Sequence, residues 1–138
     1  MQTFLPYYDF KRSAACLDYR RLGKQRVEAY QIINILKGKQ KSNAWKNHPA
    51  VLMWKNDIEI LKVYYNVILN EWIQRGFNNS MKFLPCKRYK CKQFHPKLYQ
   101  SHRSNLLRKD YNFYSKFGWK ENDNLPYYWP TKEKNYEL

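Results

Sequence analysis

Six apolar side chains, Trp54, Ile58, Leu61, Tyr65, Ile68 and Trp72, recur at alternating intervals of four and three residues. That period keeps all six on one face of an α-helix. His48-Pro49 opens the stretch, since Pro suits a first helical position, and Gly76 closes it just after Arg75. The stripe therefore predicts one long central helix over about 49–75, against which the rest of the chain must pack. No segment alternates as a half-buried strand does, and no repeat is present. The expectation is an all-α fold: a single compact domain over residues 1–138, with about four to five helices around the central one.

The flanking elements follow from caps and breakers. Asp9 can cap a short helix carrying Phe10, Ala14 and Leu17, and a second helix begins near Asp18 and runs to Leu36, ended by Gly38. Residues 77–94 contain Pro85 and many Lys residues, which predicts a basic loop. Pro96 opens a further helix with Tyr99, His102 and Leu106 on one face, ending near Lys109. Beyond Asp110 the chain reads as an irregular aromatic region, YNFYSKFGW and then LPYYWP, with a polar tail expected to fray.

One predicted helix carries an unusual face. Asp18, Arg21, Gln25 and Glu28 share a seam with Ile32 and Ile35, so charged groups run straight into core. Carboxylates and guanidiniums are seldom drawn inward unless they pair or serve chemistry, which makes DYRRLGKQRVE the place to seek a site.

Charge indicates what that site meets. The 138 residues carry a formal +15, and no acidic residue lies between Lys82 and Lys109. A second basic block spans Lys11 to Lys46. A polyanion is the expected partner, and nucleic acid fits better than a membrane because no long apolar span, leader or lipidation motif is present. Aromatic residues make up 18% of the chain, enough to fill a core and leave rings beside Lys and Arg for stacking on bases. Three cysteines, Cys16, Cys86 and Cys91, point to a reduced, intracellular protein.

Several chemistries are disfavoured. There is no Gly-rich phosphate loop and no nucleophile elbow, and 11 acidic residues make a two-metal nuclease centre hard to assemble. Cys86-x4-Cys91-x3-His95 has zinc-ligand residue types, but its spacing is loose and its surroundings strongly cationic, so neither metal nor cofactor is expected. What remains for breaking DNA is an amine that attacks the sugar carbon bearing a base, forms an imine and permits β-elimination, aided by a carboxylate. Like charges from nearby Arg and Lys would help such an amine lose its proton.

The motifs resemble those of the pyrimidine-dimer DNA glycosylases of the phage endonuclease V type. DYRRLGK is similar to that family's Glu-Tyr-Arg-Glu-Leu-Pro-Arg, EWIQRGFN to its Cys-Leu-Lys-Arg-Gly-Phe-Asn, and a His-led helix precedes an aromatic C-terminal region in the same order. The likeness covers most of the chain. It implies an all-α domain, a kinked duplex with a flipped nucleotide, and an N-terminal α-amino nucleophile working with a carboxylate.

Two departures reshape the expected site. The family's amine belongs to a small residue exposed by loss of Met, whereas Gln2 blocks that loss, leaving the amine of Met1. The family's glutamate falls on Arg21, with Arg20 matching the preceding Arg and Lys24 a later cation. The carboxylate then comes from Glu28, the preferred residue, or from Asp18; both alternatively belong to an ion-pair network with Arg21 and Lys24. Expected catalytic residues are therefore Met1, Glu28, Asp18 and Arg21. Arg20, Lys24, Gln25, Arg26, His48, His102, Arg103, Arg108 and Lys109 are expected at DNA, with His48 and His102 open to purely structural roles. The expected partner is damaged or modified double-stranded DNA, bound by a monomer. A non-catalytic lesion-binding module and an RNA-binding protein are the alternatives.

Overall fold

The structure, a computed structural model, describes residues 1–39, 44–87 and 90–131. Six helices and no strand occur among these residues: α1 (Phe10–Cys16), α2 (Tyr19–Leu36), α3 (Pro49–Leu52), α4 (Ile58–Gln74), α5 (Pro96–Lys109) and α6 (Tyr111–Tyr114). The expected caps are in place. The Asp9 carboxylate accepts from the Arg12 amide and the Asp18 carboxylate from the Arg21 amide, and Gly38 takes a positive φ of 73° just past α2. The fold is all-α, as expected, with α2 and α1 both packed on α4.

The single long helix predicted over 49–75 is instead two. His48 Nδ1 accepts from the Ala50 amide, and α3 starts at Pro49 as expected, but it ends at Leu52. The backbone then tightens, with Trp54, Lys55 and Asp57 amides bonding the carbonyls of Val51, Leu52 and Trp54 three residues back. Asp57 leaves helical space altogether (φ −132°, ψ 39°) and its carboxylate meets the Lys92 ammonium. The break turns Trp54 into the centre of the core, where its indole N–H donates to Thr3 Oγ1 at 3.1 Å. The apolar rhythm survives the break because Trp54 remains on the buried side, so spacing alone did not reveal the bend.

The described part of 77–94 carries no helix, in line with the basic-loop expectation. After Asp110 the chain is more ordered than expected: α6 is followed by a 3₁₀ turn, Ser115–Phe117, and Trp119 stacks on Tyr114 with 5.6 Å between ring centroids. The tail expected to fray, 132–138, lies outside the described residues.

The largest departure from expectation is the N-terminus. Residues 1–8 form no helix or strand, yet Gln2, Thr3, Phe4, Leu5 and Pro6 are all buried. Buried backbone amides need partners, and here side chains provide every one. The amide of Gln2 donates to Glu28 Oε1 (2.8 Å), Thr3 to Gln2 Oε1 (2.9 Å), Phe4 to Gln25 Oε1 (3.1 Å), Leu5 to His102 Nδ1 (2.8 Å) and Tyr7 to Ser13 Oγ (3.1 Å). Three of their carbonyls are met in the same way: Gln25 Nε2 donates to Gln2, Tyr64 to Phe4 and Arg103 to Pro6.

The motif SHRSNLLRKD is thereby a tie between the two ends of the chain. His102 and Arg103 hold residues 5 and 6, while Ser104 Oγ accepts from the Leu125 amide, Ser101 Oγ from the Tyr128 amide, and Asn105 Nδ2 donates to the Leu125 carbonyl. Burial, and secondarily the Arg103 charge, push the His102 imidazole down to about 3. A base whose folded pKa is depressed favours the unfolded state as pH falls, because the unfolded chain takes up the proton first. Stability from this group is complete above about pH 6.5 and lost towards pH 3, at about 1.4 kcal/mol per pH unit. Denaturant unfolding between pH 7 and 5, where the carboxylates remain ionised, should show this slope; a flat profile would contradict the buried neutral ring.

Candidate active site

The polar seam of α2 and the buried N-terminal segment meet face to face. Gln25 acts as a two-handed clamp, donating from Nε2 to Gln2 and accepting at Oε1 from Phe4 and from the Tyr64 hydroxyl at 2.6 Å. One turn on, Glu28 receives the Gln2 amide. Met1 is left half-buried at the junction of two adjoining clefts.

The larger cleft, about 870 Å³, is the more polar of the two. Met1, Asp18, Arg20, Arg21, Lys24 and Glu28 line it from one side of the sequence, and His48, Lys109, Asp110, Phe113, Tyr127 and Trp129 come from later elements. The second, about 650 Å³, shares Met1, Tyr19, Arg20, Lys24 and Glu28 with the first and is otherwise lined by Gly23, Val27, Gln31, Trp45 and Trp72. Cations from both basic blocks of the sequence, Arg20, Arg21 and Lys24 from one and Lys109 from the other, thus converge on one opening.

At the N-terminal end of α2 the Asp18 carboxylate receives the Tyr114 hydroxyl and, at 3.2 Å, Arg21 Nη1. Burial works to raise the Asp18 carboxyl, but the Tyr114 and Arg21 hydrogen bonds outweigh it and hold the group below its ordinary value. Burial and the same contact push the Tyr114 hydroxyl well up. Asp18 is therefore a committed carboxylate, capping α2 and neutralising Arg21. Glu28 is the carboxylate that touches the N-terminal segment.

An aromatic wall flanks the second cleft. Tyr19 stacks on Phe77 (5.9 Å between centroids, 28°), Phe77 on Trp72 (4.4 Å, 28°), and the Arg26 guanidinium lies 4.2 Å from the Trp72 ring. Gly23 makes the approach of Trp72 possible: a Cβ there would lie 3.0 Å from Trp72 Cζ3. Gly76, at φ 88°, turns the chain so that Phe77 reaches the stack, and the Asn78 carbonyl accepts from the Trp72 indole at 2.7 Å. The stretches DYRRLGK and EWIQRGFN, far apart in sequence, are therefore packed on each other. On another part of the rim, His48 lies against Trp45 (5.3 Å) and Trp129 (6.0 Å).

The family model for pyrimidine dimer DNA glycosylases matches residues 1–85. The chain belongs to the pyrimidine dimer DNA glycosylase family. No curated protein and no solved structure matches it. The matched stretch contains the N-terminal segment, the whole of α2 and the Trp72–Phe77 stack; membership makes DNA its substrate class. Among the described residues, no helix is long and apolar enough to cross a membrane.

Within this glycosylase-family fold, the residues expected at DNA divide into three groups. Arg20, Lys24 and Lys109 are exposed and line the polar cleft, with Arg21 and His48 half-buried beside them. Arg26 and Arg108 lie off that cleft: Arg26 packs on Trp72 and donates to Asn79 Oδ1, and exposed Arg108 donates to the Asp123 carbonyl.

The third group is engaged within the protein itself. His102 is wholly buried and Gln25 is 1% exposed, so neither can lie against a phosphate; both hold the N-terminal segment instead. Arg103 is committed to the Pro6 carbonyl (2.7 Å) and to Glu121 (2.8 Å). The cysteine and histidine run serves other ends: Cys91 Sγ accepts from the Phe10 amide and His95 Nδ1 caps α5 at Lys97. Among the described residues, no three His, Cys, Asp or Glu side chains gather to hold a metal ion.

Residues that sequence reasoning passed over are Tyr19, Trp45, Trp72, Tyr127 and Trp129, all cleft-lining rings. Only Tyr19 and Trp45 carry a signal, a neighbouring cation in the sequence (Arg20 and Lys46); Trp72 reads as part of the core stripe, and Tyr127 and Trp129 have no charged neighbour.

Proposed function

We propose that residues 1–138 form a DNA glycosylase acting on damaged or modified pyrimidines in duplex DNA, with an AP-lyase step, as a monomer. One observation carries this reading: the Gln2 amide bonded to Glu28 stations Met1 at the mouth of a cation-lined cleft, beside a carboxylate. In the proposed reaction the Met1 α-amino nitrogen attacks the sugar C1′ and the base departs. Ring opening gives an imine, and β-elimination then breaks the strand on the 3′ side. Glu28 takes the surplus proton of the attacking nitrogen and stabilises the cationic sugar. Arg20, Arg21 and Lys24 hold phosphates, which makes affinity fall steeply with salt.

Borohydride reduction on duplex DNA carrying an abasic site tests the amine directly. Protein whose intact mass retains an unmodified Met1 should give a covalent adduct, and protein acetylated or extended at Met1 should give none. Equal trapping by both forms would remove the terminal amine from the mechanism.

A second reading, a lesion-binding module without chemistry, draws on one observation. Arg21, at the position of the family's acid, is paired with Asp18, and a Glu28 oxygen is already used by Gln2. Salt-dependent binding with neither base release nor strand cleavage would favour it.

A further inference from the structure

We propose that Lys109 is the proton donor to the departing base, a catalytic residue supplied by the last position of α5. The proposal rests on the glycosylase reading of the cleft and adds the acid that this reading lacks. A pyrimidine leaving C1′ takes the bonding electron pair with it, so the anion that forms needs a proton.

The groups lining the polar cleft leave few sources for that proton. Asp18 is held as a carboxylate by Tyr114 and Arg21, and Arg20 and Arg21 are guanidiniums, which do not give up protons in proteins. Tyr127 is pushed up by burial, against a hydrogen bond from Gln2, and is a weaker acid for it. His48 accepts the Ala50 amide at Nδ1, so its ring is the neutral tautomer with the proton on Nε2, and a neutral imidazole is a far weaker acid than an ammonium. The lysines remain.

Lys109 stands apart from Lys24 in its surroundings. Its side chain stays exposed as a whole, yet it faces Arg21, Lys24 and Glu28 across from α2, Arg108 on its own helix and Asp110 just beyond, within a cleft that Met1 and His48 also line. Partial desolvation, then the charges of Arg21, Arg108 and Lys24, lower its pKa, with Glu28 opposing. Its ammonium therefore yields a proton more readily than a free lysine does.

The step balances. The Met1 nitrogen bonds to C1′ as the C1′–N bond breaks, the electron pair passes to the base, and a proton moves from Lys109 Nζ to the base. Glu28 takes the surplus proton of the attacking nitrogen, and solvent restores both side chains.

Two substrates separate this role from phosphate holding: duplex DNA with a thymine dimer, whose glycosidic bond must break, and duplex DNA with a preformed abasic site, which has no base to expel. Lys109→Arg keeps the charge but cannot donate. It should lower dimer cleavage about 100-fold and remove the loss of rate at high pH, with borohydride trapping on abasic DNA kept within about threefold. Lys109→Ala, which also removes a cleft cation, should lower dimer cleavage at least about 10-fold more than it lowers trapping on abasic DNA. The proposal is overturned if Lys109→Arg cleaves the dimer at the wild-type rate. It is also overturned if both variants lose the two reactions in parallel with duplex affinity, the signature of a phosphate contact. Wild-type protein that neither cleaves nor traps would instead overturn the glycosylase reading beneath it.

Discussion

Glu28→Gln should reduce the borohydride-trapped adduct on abasic DNA by about 100-fold or more, while thermal stability and salt-dependent duplex affinity stay close to wild type. The substitution is informative because of what it preserves. Glutamine offers a carbonyl oxygen where Glu28 Oε1 now accepts the Gln2 amide at 2.8 Å, so Met1 keeps its place. What disappears is the negative charge and the capacity to take a proton. Glu28→Ala, by contrast, would release the N-terminal segment and mix two effects. Undiminished trapping by Glu28→Gln would confine Glu28 to holding Gln2 and return the carboxylate role to Asp18 or to none.

The largest stability effect is expected at Gln25. Gln25→Leu keeps much of the volume but strands the Phe4 amide and the Gln2 carbonyl in the core and takes one acceptor from the Tyr64 hydroxyl. Each stranded group costs about 1–3 kcal/mol, so the sum is about 3 kcal/mol or more, a fall in melting temperature on the order of 10 °C. Lys24→Ala, at an exposed position one residue away, should change stability by no more than about 0.5 kcal/mol. Calorimetry of the pair checks this. If Gln25→Leu melts with wild type, the side chain is not the clamp described.

How far the sequence disclosed these features depends on the kind of information each one needs. The starts of α1, α2, α3 and α5 were legible because Asp9, Asp18, His48-Pro49 and Pro96 are local signals, read within four residues of the element they begin. The polar seam of α2 was legible as an anomaly, since periodicity places Gln25 and Glu28 among core positions. Its cause was not legible, because the partner is an irregular segment on the far side of α1, and MQTFLP has no periodicity to mark it as buried. The same limit explains His102 and Arg103. Basic and aromatic residues look alike whether they face phosphate or a backbone carbonyl, and only the fold shows that Arg103 spends its guanidinium on Pro6 and Glu121. The bend at 53–57 was hidden for a different reason: turns of 3₁₀ type left the buried side of the stripe unchanged.

Some of the hydrogen bonds that hold the N-terminal segment and the start of α2 span most of the chain, with Leu5 and His102 separated by 97 positions, Tyr7 and Trp119 by 112, and the Asp18 amide and Tyr114 hydroxyl by 96. Contacts of such separation form slowly, because the loop must close before they can repay its entropy. Helices α2 and α4 need no such closure. A folding chain can therefore carry nearly its full helical content while the N-terminal segment is not yet seated in its final place, and helicity is a poor proxy for a completed cleft.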